Sequence, residues 1–275
     1  MAVDWDSEED LHLALCLAPG VGSAIFRSVV DEVRVSRLSP REVFESDFAG
    51  LVGLGLPELG AAALSNRGSS LYESLDKYKK QVGSKTLRFL TSGNVLYPSR
   101  VASFLNSPPA FLFAYGNLRT LNSTTFTVVA SRTATAADLD KVERAAEEGV
   151  LSSKVLVGGT NTDAYQRASV VPLRWGAPRI LVLDRGIFKA LGDDLAEEPF
   201  RTARLWRYRF DPETDLVISR NRPFDEYAPS NQKYRDELIV ALSDEIYGIG
   251  IRPGGNMEKL AAKAEEQGKS VVRDG

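Results

Sequence analysis

Thr125-Phe126-Thr127-Val128-Val129-Ala130-Ser131-Arg132-Thr133-Ala134-Thr135 is the stretch whose reading decides the fold. It opens on β-branched and aromatic residues, breaks at the small pair Ala130-Ser131, and runs into the polar, helix-permitting Ala136-Ala137-Asp138-Leu139-Asp140. That order predicts a buried strand, a tight loop and a helix start. In an open parallel sheet such a junction lies at the carboxyl end of a strand, where the first N–H groups of the helix favour an anion. Arg132 adds a planar fork suited to phosphate. The same residues fit a plainer arrangement, in which Arg132 pairs with a surface carboxylate and Ser131 caps the helix.

Downstream the pattern repeats. A helix is expected over 136–148, a strand over 154–157, a glycine loop over 158–163, a helix over 163–174 and a strand over 179–183. Residues 190–235 are less regular, with a strand expected at 215–219. The alternation resumes with a helix over 231–243, a strand over 245–250, a helix over 257–267 and a last strand over 270–273. Strands alternating with helices of this length predict a Rossmann-like α/β fold, a parallel sheet with helices on both faces. Upstream, Tyr97-Pro98, a short helix, the Pro108-Pro109 turn and a strand through Phe111-Leu112-Phe113-Ala114-Tyr115 lead into this domain, after a strand at Thr86-Leu87-Arg88-Phe89-Leu90.

The start of the chain reads differently. Leu11, Leu13, Leu15, Leu17, Val21, Ile25, Phe26, Val29 and Val30 surround a Pro19-Gly20-Val21-Gly22 break, and Gly53-Leu54-Gly55 precedes a second apolar run from Leu56 to Leu64. Two short helix pairs are expected, forming a small all-α domain over 1–83 that precedes the α/β domain over 84–275. The Pro-Gly-Val-Gly break has the form of a helix-hairpin-helix turn, whose glycines let backbone amides approach a DNA phosphate. It equally serves as a tight turn between packed helices, and Arg27 is the one nearby cation.

Composition narrows the function. The 275 residues are 43% hydrophobic and 26% charged, which is ordinary for a globular protein able to bury a core. The single Cys16 and single His12 argue against a disulfide, a metal site and histidine-based acid–base catalysis. No apolar run of about 18 residues and no basic leader before an apolar stretch stands out, so a cytoplasmic location without membrane association is expected. The net charge of −3 gives no global attraction to nucleic acid, which makes any phosphate binding a matter of local basic surface.

The order of these motifs resembles the DNA-processing protein A family, also called Smf. Leu17-Ala18-Pro19-Gly20-Val21-Gly22 resembles its sterile-alpha-motif-like start. Tyr97-Pro98, Pro108-Pro109 and Tyr115-Gly116-Asn117 are similar to its tyrosine-proline, aspartate-proline-proline and glycine-asparagine landmarks. Val128-Val129-Ala130-Ser131-Arg132 is similar to its valine-glycine-serine-arginine phosphate loop, and Arg235 with the helix through Ala241-Leu242-Ser243-Asp244 to its asparagine-phenylalanine-proline-x-arginine-asparagine-arginine region. The chain departs from the family in four places. Ala130 replaces a glycine, the second glycine loop is shortened to Gly158-Gly159-Thr160-Asn161-Thr162-Asp163 with Gln166 or Arg167 where a histidine is usual, Arg235-Asp236-Glu237 stands for arginine-asparagine-arginine, and no winged helix follows before Gly275.

The resemblance implies a non-catalytic protein that needs no cofactor, binds single-stranded DNA at the carboxyl ends of the strands, hands it to a RecA-type recombinase during DNA uptake or recombination, and forms a homodimer. It implies phosphate contacts from Ser131, Arg132, Gly158, Gly159, Asn231, Lys233, Arg235 and Arg167, with Tyr234 as a stacking face. Residues 239–251, nearly all apolar, are the expected pairing surface. Arg204, Trp206, Arg207, Tyr208 and Arg209 interleave cations with aromatics, as a single-strand surface does, and as a strand with one face in the core also does. Arg220-Asn221-Arg222 is a further basic cluster just upstream of that site, and the same residues fit a solvated loop. An alternative is a nucleotide sensor of the same superfamily, for example in anti-phage defence. Arg252-Pro253-Gly254-Gly255-Asn256-Met257-Glu258 resembles the motif of nucleoside-monophosphate phosphoribohydrolases, although the spacing to Glu258 departs from it.

Overall fold

The computed structural model describes residues 3–82 and 87–274. The chain divides into two compact units, residues 1–92 with 109–111, and residues 93–108 with 112–275. The expected boundary at 83–84 and the expected strand start at Thr86 lie outside the described residues.

The first unit holds α1 (Glu8–Leu17), α2 (Ser23–Val35), α3 (Pro40–Glu45), α4 (Phe48–Gly53), α5 (Glu58–Ser65) and α6 (Ser70–Val82), then β1 (Leu87–Thr91). Pro19 to Gly22 makes the turn between α1 and α2, and Leu54 to Pro57 that between α4 and α5, with Val21 and Leu56 buried. Each expected helix pair is present, and α3 and α6 add to them. Ser39 starts α3 through a reciprocal capping box with Glu42, and Pro40 sits in its first turn, where a missing N–H costs nothing. Leu15, Val29, Leu51, Leu64 and Leu75 fill the core, and the ion pair of Lys79 with Asp10 ties α6 to α1. Phe26, Phe89 and Phe111 pack edge-on and tilted, with centroids 5.3–6.5 Å apart.

The second unit begins with α7 (Ser99–Phe104) and β2 (Phe111–Gly116). There follow β3 (Thr125–Ala130), α8 (Ala136–Leu151), β4 (Val155–Gly158), α9 (Asp163–Trp175), β5 (Arg179–Leu183), α10 (Ile187–Leu191), α11 (Arg201–Arg204), β6 (Leu216–Ser219), α12 (Asn231–Leu242), β7 (Glu245–Ile249), α13 (Asn256–Glu266) and β8 (Ser270–Asp274). Its strands lie in the order β2-β6-β5-β4-β3-β7-β8. β2 runs antiparallel to β6, and the other neighbours are parallel. The opening stretch forms the central strand: β3 is buried from Thr125 to Val129, as a strand covered on both faces must be. Its even side chains, Phe126 and Val128, join Val142, Ala146, Ala168 and Val171 in a core under α8 and α9. α12 covers the opposite face.

β3 neighbours both β4 and β7, so the connections leave it in opposite directions and a crevice opens at the carboxyl ends of β3 and β7. In the run at 239–251 expected as a pairing surface, Ile239, Val240, Ala241, Leu242 and Ile246 are buried within the chain, while Tyr247 and Ile251 are half-buried.

Candidate nucleic-acid interface

Parallel strands bring their carboxyl ends to one edge of the sheet, and with them the residues that follow each strand. Ser131 and Arg132 follow β3, Gly159, Thr160 and Asn161 follow β4, Asp184 and Arg185 follow β5, and Arg220 follows β6. The first two turns of α12 reach four of these ends. Arg132 Nη2 donates to Gln232 Oε1. Asn231 Nδ2 donates to the carbonyl of Asp184 at 2.9 Å. The Arg220 guanidinium lies 3.9 Å over the Tyr234 ring. Arg235 Nη1 donates to Asn161 Oδ1 and stands 3.6 Å from Asp184 Oδ2. Gln232 Nε2 donates in turn to the Tyr227 hydroxyl, whose ring the Arg185 guanidinium faces at 5.6 Å.

The four helices of eight or more residues that start at this edge differ in how their amino ends are satisfied. Thr135 and Asp138 form a capping box at α8, and hydrogen bonds from the Thr135 backbone N–H and hydroxyl hold the Asp138 carboxyl below the usual carboxylate range. That carboxylate also lies against the loop after β7: a Cβ on Gly250 would stand 3.0 Å from it. α9 is capped by Thr162 and carries Asp163 in its first turn. At α13, Glu258 folds back to accept from the Gly254 N–H. α12 alone among these has neither a side-chain cap nor an acidic residue in its first turn, which reads Asn231-Gln232-Lys233. The Asn231 and Gln232 N–H groups donate to the carbonyls of Ala228 and Pro229, so what this end offers an anion is its helix dipole and the surrounding cations Arg132, Arg185, Arg220 and Lys233.

Several sequence expectations are corrected by this geometry. The expected phosphate cradle at the β3–α8 and β4–α9 loops is closed. Ser131 Oγ accepts from the Arg252 N–H at 2.6 Å, and it is Thr135 that caps the helix. Gly158 and Gly159 are buried; a Cβ would meet Ser169 Oγ at 2.5 Å from the first and the Tyr165 ring at 2.9 Å from the second, so these glycines exist for close packing of α9. Arg235 is only 2% exposed, enclosed by Asp236, Asp184 and Asn161 with its guanidinium 5.0 Å over the Tyr165 ring. It orders the floor of the edge and does not reach solvent. Arg167 lies on the outer side of α9, 2.8 Å from Glu143, away from the α12 end. Lys233 projects outward, 67% exposed and 3.9 Å from Glu237.

The Arg204–Arg209 run is neither a strand nor uniformly exposed. It is a turn after α11 in which Arg207 points inward to Glu198 and Asp215, while Trp206 and Tyr208 point out. Arg220 is likewise no solvated loop residue, and burial lowers its pKa. Sequence reading passed over Arg185, Gln232 and Tyr227. The signal for Arg185 was present, since it follows β5 as Arg132 follows β3.

A family model for the DNA recombination-mediator protein A matches residues 88–273. The chain belongs to that family. DNA processing protein A from Streptococcus pneumoniae has a similar structure, with a TM-score of 0.61 at 16% identity over 99% of this chain and 87% of that one. DNA processing protein A from Helicobacter pylori, whose structure was determined for its single-stranded DNA binding mode, gives 0.52 at 16% identity over 68% of this chain and 80% of that one. At such identities the likeness is one of fold. No curated protein sequence matches the chain. Among the described residues no helix is long and apolar enough to cross a membrane, and no group of three or more histidine, cysteine or acidic side chains could hold a metal ion.

Proposed function

We propose that this member of the family binds single-stranded DNA at the amino end of α12, with Arg132, Lys233, Arg185 and Arg220 meeting phosphates and Tyr227 and Tyr234 meeting bases. The observation that carries the reading is the start of α12, which has no side-chain cap and no acidic residue in its first turn, amid four cations at the carboxyl edge of the sheet. Asn231 and Arg235 position that end, through Asp184 and Asn161, without touching DNA. Binding without catalysis is supported by Glu258, which is engaged with its own loop. On the strength of the family the proposal includes pairing of two copies and hand-over of the strand to a RecA-type recombinase in DNA uptake or recombination. A nucleotide sensor is the weaker reading, because Asp138 and Glu258 occupy the two helix starts at the β3–β7 crevice that a mononucleotide phosphate would use.

The deciding experiment is a titration of labelled single-stranded oligonucleotide at several salt concentrations. Log affinity should fall linearly with log salt, and Arg132→Ala should reduce the slope by about 0.7, the release expected for one phosphate contact on a single strand. A free mononucleotide that binds where the oligonucleotide does not would overturn the reading.

A further inference from the structure

Outside the α12 edge, a run of exposed apolar and aromatic side chains follows α11 where it meets α9. Leu205, Trp206 and Tyr208 are 84%, 52% and 78% exposed, an arrangement that burial alone would not select. Trp206 is held in place. The Arg174 guanidinium lies 4.9 Å from its ring centroid, and Arg174 is itself fixed by Glu143, which also binds Arg167 two turns earlier on the same face of α9. Tyr208 follows two residues later on the same turn. Arg201, exposed at the start of α11, makes no ion pair among the described residues, whereas Arg204 and Arg209 are answered by Glu197 and Asp194.

This cluster is continuous with the α12 edge through hydrogen bonds. Asn161 accepts from Arg235, the neighbouring Thr160 carbonyl accepts from Gln166 Nε2, and Gln166 Oε1 accepts from the Thr202 hydroxyl of α11 at 3.1 Å. From Gln166 to Arg174 the path follows α9 for about 12 Å at 1.5 Å per residue. We infer that the α9–α11 face, with Trp206 and Tyr208 as stacking rings and Arg167, Arg174 and Arg201 beside them, is a second contact for single-stranded DNA, taking the strand after it leaves the α12 edge. Two rings two residues apart, one backed by a guanidinium, offer flat faces to successive unpaired bases, and cations alongside them answer the phosphates. The inference rests on the α12 reading, from which the strand arrives.

The test uses the full chain and thymidine oligonucleotides of about 6 and about 20 nucleotides, lengths chosen to fill one contact or both. Trp206→Ala with Tyr208→Ala should weaken the longer oligonucleotide at least fivefold, the equivalent of about 1 kcal/mol of lost stacking, and leave the shorter one unchanged. Of the three tryptophans, Trp206 should account for the fluorescence quenching by the longer oligonucleotide, so Trp206→Phe should abolish it. Arg132→Ala should weaken both lengths. If the double variant binds the longer oligonucleotide as wild type does, or weakens both lengths equally, the second contact is overturned while the α12 site stands. If Arg132→Ala changes neither length, the α12 reading fails instead, and if wild type binds neither oligonucleotide both fall. Loss of a bound protein partner with DNA affinity intact would assign the aromatic face to protein recognition and overturn the inference.

Discussion

Arg132 and Arg235 carry the same charge within one edge of the sheet and do different work. Arg132 is exposed and its side chain donates to the flexible Gln232 side chain, so Arg132→Ala should cost about 1–3 kcal/mol of DNA binding with little change in melting temperature. Arg235 is enclosed with two carboxylates, and burial raises the pKa of one of them, Asp236, against the pull of the Arg235 charge. Arg235→Ala strands those carboxylates and should cost about 3–5 kcal/mol of folding stability, measured by denaturant unfolding. Stability unaffected by Arg235→Ala would mean the enclosure contributes nothing. The distinction was beyond the sequence, because beside the neighbouring Asp236 the groups that enclose Arg235 are Asn161 and Asp184, more than fifty residues away along the chain. Glu237 is the other residue of consequence. It stands 3.9 Å from Lys233, in the weaker orientation for an i,i+4 pair. Glu237→Arg should therefore raise affinity and steepen the salt slope by about 0.7–1.4, and an unchanged slope would place residue 237 off the DNA path.

Elements were legible in proportion to how local their causes are. β3 to β8 and α8, α9, α12 and α13 follow from apolar runs and helical periodicity, and their observed bounds lie within about three residues of the expected ones. α6 was passed over because Ser70–Val82 is rich in polar residues. Residues 190–215 read as irregular because what organises them is a buried ion cluster. Arg179 of β5 donates to Asp215 at 2.8 Å and to Glu198 at 2.6 Å, and Arg207 shares both carboxylates. Glu198→Gln should lower stability by about 3–5 kcal/mol, since it leaves the fully buried Arg179 with Asp215 as its carboxylate, which Arg207 shares. The α8–α9 pair depends on another carboxylate. The hydrogen bond from Arg174, aided by Arg167, lowers the Glu143 pKa below its ordinary 4.5. A depressed carboxyl stabilises the fold above the unfolded pKa and loses that contribution as pH falls through the folded one. Acid unfolding below about pH 4.5 should accordingly shift less with pH in Glu143→Gln, and identical acid profiles would show that the clamp carries no stability.

At the scale of the whole chain, charge separates a strand-binding protein from a duplex-binding one. The net charge of −3 supplies no long-range attraction, and Arg132, Arg185, Arg220 and Lys233 lie at one edge beside carboxylates at three neighbouring helix starts. A duplex is a rigid rod with a charge every 1.7 Å, and it needs a broad basic face to release enough counterions. A single strand can bend into a narrow edge and gain stacking on Tyr227, Tyr234 or the Trp206 turn. Single-stranded DNA should therefore bind at least about tenfold more tightly than a duplex of equal length near physiological salt, and the difference should persist as salt rises because stacking is less screened than phosphate contact. Competition of one labelled strand against unlabelled strand and unlabelled duplex at two salt concentrations measures it. Equal competition would mean that the protein reads the phosphate backbone alone, and the aromatic side chains at the edge would then have no part in binding.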